Sequence, residues 1–365
     1  MDLSTMEQYW VWLSSVEGIG PRRFYQLISI YEDARAVWDN VGGEEMRFLG
    51  KATLEKLRQA RSEQYFYALF ARMEKQGMRA VTRISDDYPA RLSAIYDPPP
   101  TLYVLGEGTL MDERSFAIVG SRRCTRDGQR AAREIAETLA REGVCVVSGM
   151  AYGVDAAAHE GALIGMGRTV AVLGCGADVI YPQEHEALYR RILENGGAVV
   201  SEYAPGVSPR PANFPARNRI ISGLSAGVLI VEGAEKSGAM ITIADATDQN
   251  RDVFAVPGSI YSPLSAAPNR LIVEGAIPVL SGWDILEHYR WAARPDAQQS
   301  APRSKIVLDP EDDQIVRPLL EQELSFDELA NLVDFPTSKL NSHLTMLELR
   351  GIIVKVPGGL YRAYL

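Results

Sequence analysis

From Phe116 onward the chain alternates short apolar runs with stretches of helical periodicity, and no other feature limits its possible folds so tightly. FAIVG is followed by RDGQRAAREIAETLAREG, VCVVSG by VDAAAHEGALIGMG, and TVAVLG by EHEALYRRILENGG. AVVSEY, GVLIVEG, DVFAVPG and IPVL continue the series. Runs that are apolar throughout are buried on both faces, and strands alternating with helices wind right-handed into a parallel sheet. The expected fold class is α/β: a Rossmann-like doubly wound, mostly parallel sheet over residues 86–292.

Different textures flank that region. Residues 1–85 read as a helical domain: YWVWLSSV carries one apolar face, FYQLISIY follows a tight GIGPRR turn, and EQYFYALFARMEKQG is a further helix. ISDDYPARLSAIYDPPPTLYVLG is irregular and proline-rich, with a strand expected near Leu102 to Leu105. Residues 293–309, which include ARPDAQQSAPRSK, have the composition of a linker. Residues 310–365 read as three helices, DDQIVRPLLEQE, SFDELANLV and PTSKLNSHLTMLELRG, then two strands around a Gly-Gly turn. Three helices and a β-wing make a winged helix.

The 365 residues carry a formal net charge of -9. That argues against coating nucleic acid by bulk charge but leaves room for a local basic pocket, because phosphate affinity depends on the few cations that touch it. No apolar run approaches the ~20 residues of a membrane span, and MDLSTMEQYWVWLSS lacks the basic start of a signal peptide. A cytoplasmic protein is expected. Cys124, Cys145 and Cys175 form no C-x-x-C and read as reduced thiols. His159, His185, His288 and His343 are too scattered to suggest a metal, so neither metal nor cofactor is expected.

In an open parallel sheet, ligands bind where strands end and helices begin. Those junctions read Gly120-Ser121-Arg122-Arg123 after FAIV, Ser148-Gly149-Met150 after VCVV, and Ala234-Glu235-Lys236-Ser237-Gly238 after GVLIVEG. FPARNRIISG opens a short helix of its own. Glycines admit a phosphate to the backbone, helix N-termini offer unpaired N–H groups, and arginine adds bidentate donors. Together the junctions describe a polyanion pocket; each alone is also an ordinary structural turn.

Nucleotide fingerprints are missing. GCGADV has no third glycine, and LGKAT has Glu45 where a P-loop needs glycine. Asp155 and His159, four apart on a helix, could meet, but no G-x-S-x-G supplies a nucleophile. The competing reading has Asp155 capping its helix and His159 bonding a neighbouring loop. Glu202 and Glu232, at strand ends, read as carboxylates that orient Arg217 or Arg219 through ion pairs. VEGIGPRRFYQLI fits either a helix-hairpin-helix offering N–H groups to a DNA phosphate or a plain helical hairpin whose turn also needs glycine. In the winged helix, Arg317, Lys339, Arg350, Lys355 and Arg362 stand against nine carboxylates. A groove reader is basic, so protein docking or regulation competes there with DNA reading.

GSRR, SGMAYGVDAAAHEGAL, AVLGCGADVIYP, SEYAPGVSPRPANFPARNRIISGLS, VEGAEKSGAMIT, RDVFAVPGSIYSPLS and NRLIVEGA, in this order, resemble the DNA-processing protein A family, also called DprA or Smf. The likeness covers the whole sheet domain, and both flanks agree with the family's layout. It implies a protein that binds single-stranded DNA with little sequence preference and loads the recombinase RecA onto it during natural transformation. It further implies help in displacing single-strand binding protein, a homodimer formed through the Rossmann-like domain, and no established catalytic activity.

Carried over motif by motif, the resemblance assigns DNA contact to Gly120, Ser121 and Arg122, to Ser148 and Gly149, to Phe214, Arg217, Asn218 and Arg219, and to Lys236, Ser237 and Gly238. Arg122, Arg217, Arg219 and Lys236 would grip phosphates, and Phe214 would stack a base, as aromatic platforms do in sequence-tolerant single-strand binding. The chain departs from the family where Ala267 and Pro268 replace Gly-Thr, which puts a phosphate contact from that loop in doubt, and at Ile243, where alanine is usual. From the enzyme class, the alternative is a nucleotide-processing hydrolase of the lysine-decarboxylase-like Rossmann type. Its P-G-G-x-G-T-x-x-E motif is missing, the one PGG being Pro357 to Gly359. A transcriptional regulator is a third reading, from the winged helix.

Overall fold

Each of the seven apolar runs from Phe116 onward contains a parallel strand. The computed structural model describes residues 5–108, 110, 112–293, 308–350, 352–356 and 359–363. Ahead of the sheet come α1 (Thr5–Ser15), α2 (Pro21–Tyr31), α3 (Ala34–Asp39), α4 (Lys51–Ala60) and α5 (Glu63–Lys75). Their aromatic core includes Trp12, whose indole N–H reaches the Ala60 carbonyl at 2.8 Å. Then follow β1 (Arg79–Thr82), α6 (Ala90–Ser93), β2 (Thr101–Leu105), β3 (Ser115–Val119), α7 (Arg126–Arg141), β4 (Cys145–Ser148), α8 (Val154–Ile164), β5 (Thr169–Val172), α9 (Glu186–Glu194) and β6 (Ala198–Ser201). The second half holds α10 (Asn213–Gly223), β7 (Gly227–Ile230), α11 (Ala239–Asp248), β8 (Asp252–Ala255), α12 (Ala266–Val273), β9 (Ile277–Pro278) and α13 (Gly282–His288).

These strands make one sheet ordered β1-β2-β6-β5-β4-β3-β7-β8-β9. From β6 across to β9 every neighbouring pair is parallel, and only β1 and β2 run against their neighbours. Winding proceeds outward from β3 through β4, β5 and β6. It then restarts at β7, beside β3, and proceeds the other way.

Alternate residues of each strand enter opposite layers, as a sheet buried on both faces requires. Phe116 and Ile118 of β3 pack with α7, α8 and α13, while Ala117 and Val119 pack with α10 and α11. Residues 79–82, expected to be helical, instead form an edge strand paired with β2. A four-residue run is too short to carry a period, and its partner lies some twenty positions downstream. Pro295–Leu365 constitute a separate unit from Met1–Arg294. Its described part comprises α14 (Pro310–Glu321), β10 (Leu324–Ser325), α15 (Phe326–Ala330), α16 (Thr337–Leu349), β11 (Ile353–Val356) and β12 (Leu360–Ala363), with sheet order β10-β12-β11: a winged helix. Most of the expected linker at 293–309, and Pro357 and Gly358 of the expected wing turn, lie outside the described residues.

The α7–α8 contact is close enough to require glycine. A Cβ on Gly161 would run into the backbone carbonyl of Arg133. Gly161→Ala is therefore expected to lower stability by about 1–3 kcal/mol through overpacking, read as a fall in urea midpoint with unchanged m-value.

Candidate functional site

A cleft of about 690 Å³ opens where β3 and β7 lie side by side. Its walls are the loop after β3, the first turns of α10, the start of α11, and Tyr181. Gly120 starts the first wall because a Cβ there would fall 2.7 Å from the Val154 side chain and 2.9 Å from the Glu232 carbonyl. The Ser121 amide donates to that carbonyl at 2.7 Å, and the Ser121 hydroxyl accepts from the Arg123 amide at 3.1 Å. The loop so held leaves Arg122 and Arg123 exposed, and among the described residues neither forms an ion pair. The Arg122 guanidinium lies 5.7 Å from the centre of the Phe214 ring. Tyr181 stands 5.3 Å from the same ring at 32°. Two aromatic rings and two free cations thus share one open wall.

Four of the expected residues are engaged within the fold, Arg217 while also lining the cleft. Arg217 is 4% exposed. Its Nη1 donates to the carbonyls of Gly149, at 2.9 Å, and Val172, and its Nε to Asn218 Oδ1 at 3.3 Å. It pins α10 to the ends of β4 and β5. Burial pushes its pKa down to about 10, against the pull of the neighbouring Asp155 carboxylate. Arg219 is 8% exposed; its guanidinium pairs with Glu202 at 2.6 Å and Asp97 at 3.2 Å. Residues two apart on a helix point about 200° apart, so one cleft cannot receive both arginines. Ser148 is buried and donates to the Ile118 carbonyl at 2.7 Å. Gly149 is buried too, and a Cβ there would meet Arg217 Nη2 at 2.7 Å and Asp155 Oδ2 at 2.8 Å.

Of the remaining expected residues, Gly120, Ser121, Arg122, Phe214, Asn218, Ser237 and Gly238 all line the cleft, while Lys236 is exposed one position before it. The Ser237 hydroxyl is buried without a hydrogen-bond partner. Ala267 and Pro268 are buried in α12 and do not line the cleft. Arg123, part of the GSRR junction but not of the expected contacts, lines it, and so does Tyr181, which is not among those contacts either. Arg123 was legible in the GSRR motif; Tyr181 comes from a loop whose sequence gives no sign of where it folds back.

Glu202 does orient Arg219, whereas the Glu232 carboxylate binds Thr125 instead of an arginine. Asp155 accepts from the Ala151 amide at 3.3 Å, and burial raises its pKa against the pull of Arg217. His159 bonds Thr169 Oγ1 on β5 at 2.7 Å, not a loop, and burial lowers its pKa to about 3. These two do not meet.

The other candidates are internally braced. Beside the Gly18-Ile19-Gly20 turn, Lys56 and Arg210 both pair with Glu17, at 2.8 and 2.7 Å. In the winged helix, Arg317, Lys339 and Arg350 pair with Asp313, Glu311 and Asp312 at 3.0, 2.5 and 2.8 Å. Arg362 pairs with Glu323, and Lys355 lies 5.7 Å from the Tyr361 ring centre. Asp309, Asp312 and His343 cluster there, but Asp312 is taken up by His343 and Arg350, and Asp309 caps α14.

Comparison with known proteins agrees with this architecture. Residues 79–290 match the family described as DNA recombination-mediator protein A, and residues 299–359 match the DprA winged helix domain. The chain is 40% identical over 299 residues to Protein Smf of Escherichia coli strain K12, spanning 80% of this chain and 79% of that one. It is similar to the X-ray structure of DNA processing protein A from Streptococcus pneumoniae, with TM-score 0.65 and 33% identity, covering 79% of this chain and 98% of that chain. A structure concerned with the single-stranded DNA binding mode of DNA processing protein A from Helicobacter pylori aligns with TM-score 0.53 and 30% identity, over 58% of this chain and 95% of that one.

Two stability measurements separate pins from free cations. Arg219→Ala leaves the Glu202 carboxylate without its cation and is expected to cost about 3–5 kcal/mol, Arg217→Ala leaves the Gly149 and Val172 carbonyls without their donor and is expected to cost about 1–3 kcal/mol, whereas Arg122→Ala stays within about 0.5 kcal/mol of the parent in urea unfolding. His159 titrates in the unfolded chain near the ordinary histidine value of 6.5 but only at about 3 when folded. The unfolded chain therefore gains protons first, and the His159 contribution is present above pH 6.5 and lost as pH falls toward 3. His159→Asn is expected to flatten that acid limb in urea midpoints measured from pH 7 to 4.

Proposed function

The chain belongs to the DNA recombination-mediator protein A family, and from that premise we propose that the cleft beside β3 and β7 holds single-stranded DNA. One observation carries the reading: Arg122 and Arg123, without an ion pair among the described residues, line the same cleft as the Phe214–Tyr181 ring pair, with Arg122 over Phe214. Cations beside stacking rings suit an unpaired strand, whose phosphates and base faces are both accessible. In a duplex the base faces are already stacked. The two arginines and Lys236 take phosphates, Gly120, Ser121, Ser237 and Gly238 line the strand's path, and Phe214 stacks a base. Asn218 borders the cleft. Arg217, Arg219, Ser148 and Gly149 shape it from beneath.

We further propose a cytoplasmic mediator that loads RecA onto the strand, as in natural transformation, and helps displace single-strand binding protein. Asp155 is the one carboxylate lining the cleft among the described residues, and it is buried and hydrogen-bonded. This arrangement favours binding over hydrolysis. A homodimer through the sheet domain is part of the proposal; Ile260, Tyr261 and Leu280, following β8 and β9, are more than 80% exposed and supply apolar surface for it.

Fluorescence anisotropy with a labelled oligonucleotide tests the reading. Arg122→Ala is expected to weaken binding for every sequence alike and to reduce the salt slope by about 0.7. Phe214→Ala is expected to cost about 1–3 kcal/mol with little change in slope. Equal affinity for duplex, or release of free base from nucleoside monophosphates, would overturn it.

A further inference from the structure

Glu232, two residues beyond β7, grips both ends of the loop that projects Arg122 and Arg123. Its backbone carbonyl accepts from the Ser121 amide at 2.7 Å. Its carboxylate accepts from the Thr125 amide at 2.7 Å and from the Thr125 hydroxyl at 2.6 Å. That hydroxyl in turn accepts from the Gly128 amide at 3.0 Å, so the same residue that caps α7 is the one Glu232 holds. Gly128 completes the arrangement. A Cβ there would fall 2.5 Å from the Glu232 carboxylate, and glycine is otherwise disfavoured within a helix. Thr125 and Gly128 thus converge on the Glu232 carboxylate, and Ser121 on the backbone carbonyl of the same residue.

We infer that Glu232 is a positioning residue, which holds the 121–125 loop so that its two arginines point into the cleft. The inference rests on the reading of that cleft as the DNA site. It has a sign that mere electrostatics would not produce. A carboxylate beside a phosphate path repels the phosphate, so if charge were its only effect, neutralising it would tighten binding. A clamp predicts the opposite.

Glu232→Gln keeps the shape but replaces one carboxylate acceptor with an amide donor facing Thr125. Affinity for a labelled single-stranded oligonucleotide is expected to fall about tenfold, with a shallower salt dependence. Added to Arg122→Ala/Arg123→Ala, the same change should shift affinity by less than about twofold, since the groups it positions are gone. Thr125→Val removes the hydroxyl's bond to Glu232, and with it the cap on Gly128, without altering charge, and is expected to weaken binding in the same direction. Thr125→Ser, which restores the hydroxyl, should recover most of that loss. Near-UV circular dichroism reports whether Glu232→Gln folds, and Thr125→Val carries the test if it does not. Binding by Glu232→Gln as tight as the parent or tighter, or unchanged binding by Thr125→Val, overturns the clamp. Absence of single-strand binding by the parent protein overturns instead the reading of the cleft on which the clamp rests.

Discussion

The reversal of winding between β3 and β7 is the constraint on which the site depends. These two strands are neighbours and run parallel, yet the helices that follow them pack on opposite faces of the sheet, α7 on one and α11 on the other. Their outgoing loops must therefore part. Elsewhere in a parallel sheet, successive crossovers lie side by side and fill the space beyond the strand ends. Here they cannot, and a crevice is left at the switch point. Both of its flanks begin helices, which places backbone N–H groups and the short motifs GSRR and KSG at its mouth.

Charge is partitioned around that crevice by solvation. A guanidinium buried among carbonyls or carboxylates holds elements together with donors that are already engaged. Arg217 and Arg219 have this fate: one pins α10 to the ends of β4 and β5, the other pairs with Glu202 and Asp97. An exposed guanidinium retains its hydration and can exchange it for phosphate. Arg122 and Arg123 are of this kind. An acidic protein can thus own a cationic groove because a few exposed arginines are gathered at one cleft while others are held by carboxylates; in the winged helix the named cations are paired at the surface or set against a ring.

Much of the fold could be read in advance because a parallel strand buried on both faces announces itself locally. All seven central strands stood out as apolar runs, and the helices between them as periodic stretches. The first strand, at residues 79–82, did not, because its identity comes from pairing with β2 rather than from any pattern of its own. The site was legible as a set of motifs, but the partners of its side chains were not. FPARNR shows two arginines and says nothing of the carbonyls and carboxylates that meet them. One geometric fact was available even so: positions 217 and 219 point to different sides of a helix.

What the sequence determined alone was therefore the layered architecture, the place of the cleft at the strand ends, and the residue types offered to it. These follow from hydrophobic periodicity and glycine placement, which act over a few residues. Tertiary structure decided which cations remain free, because pairing and desolvation depend on groups brought together from distant parts of the chain. Glu202 reaches Arg219 from seventeen positions away, and Glu232 reaches Thr125 from 107. No local pattern encodes such meetings; the packed sheet creates them.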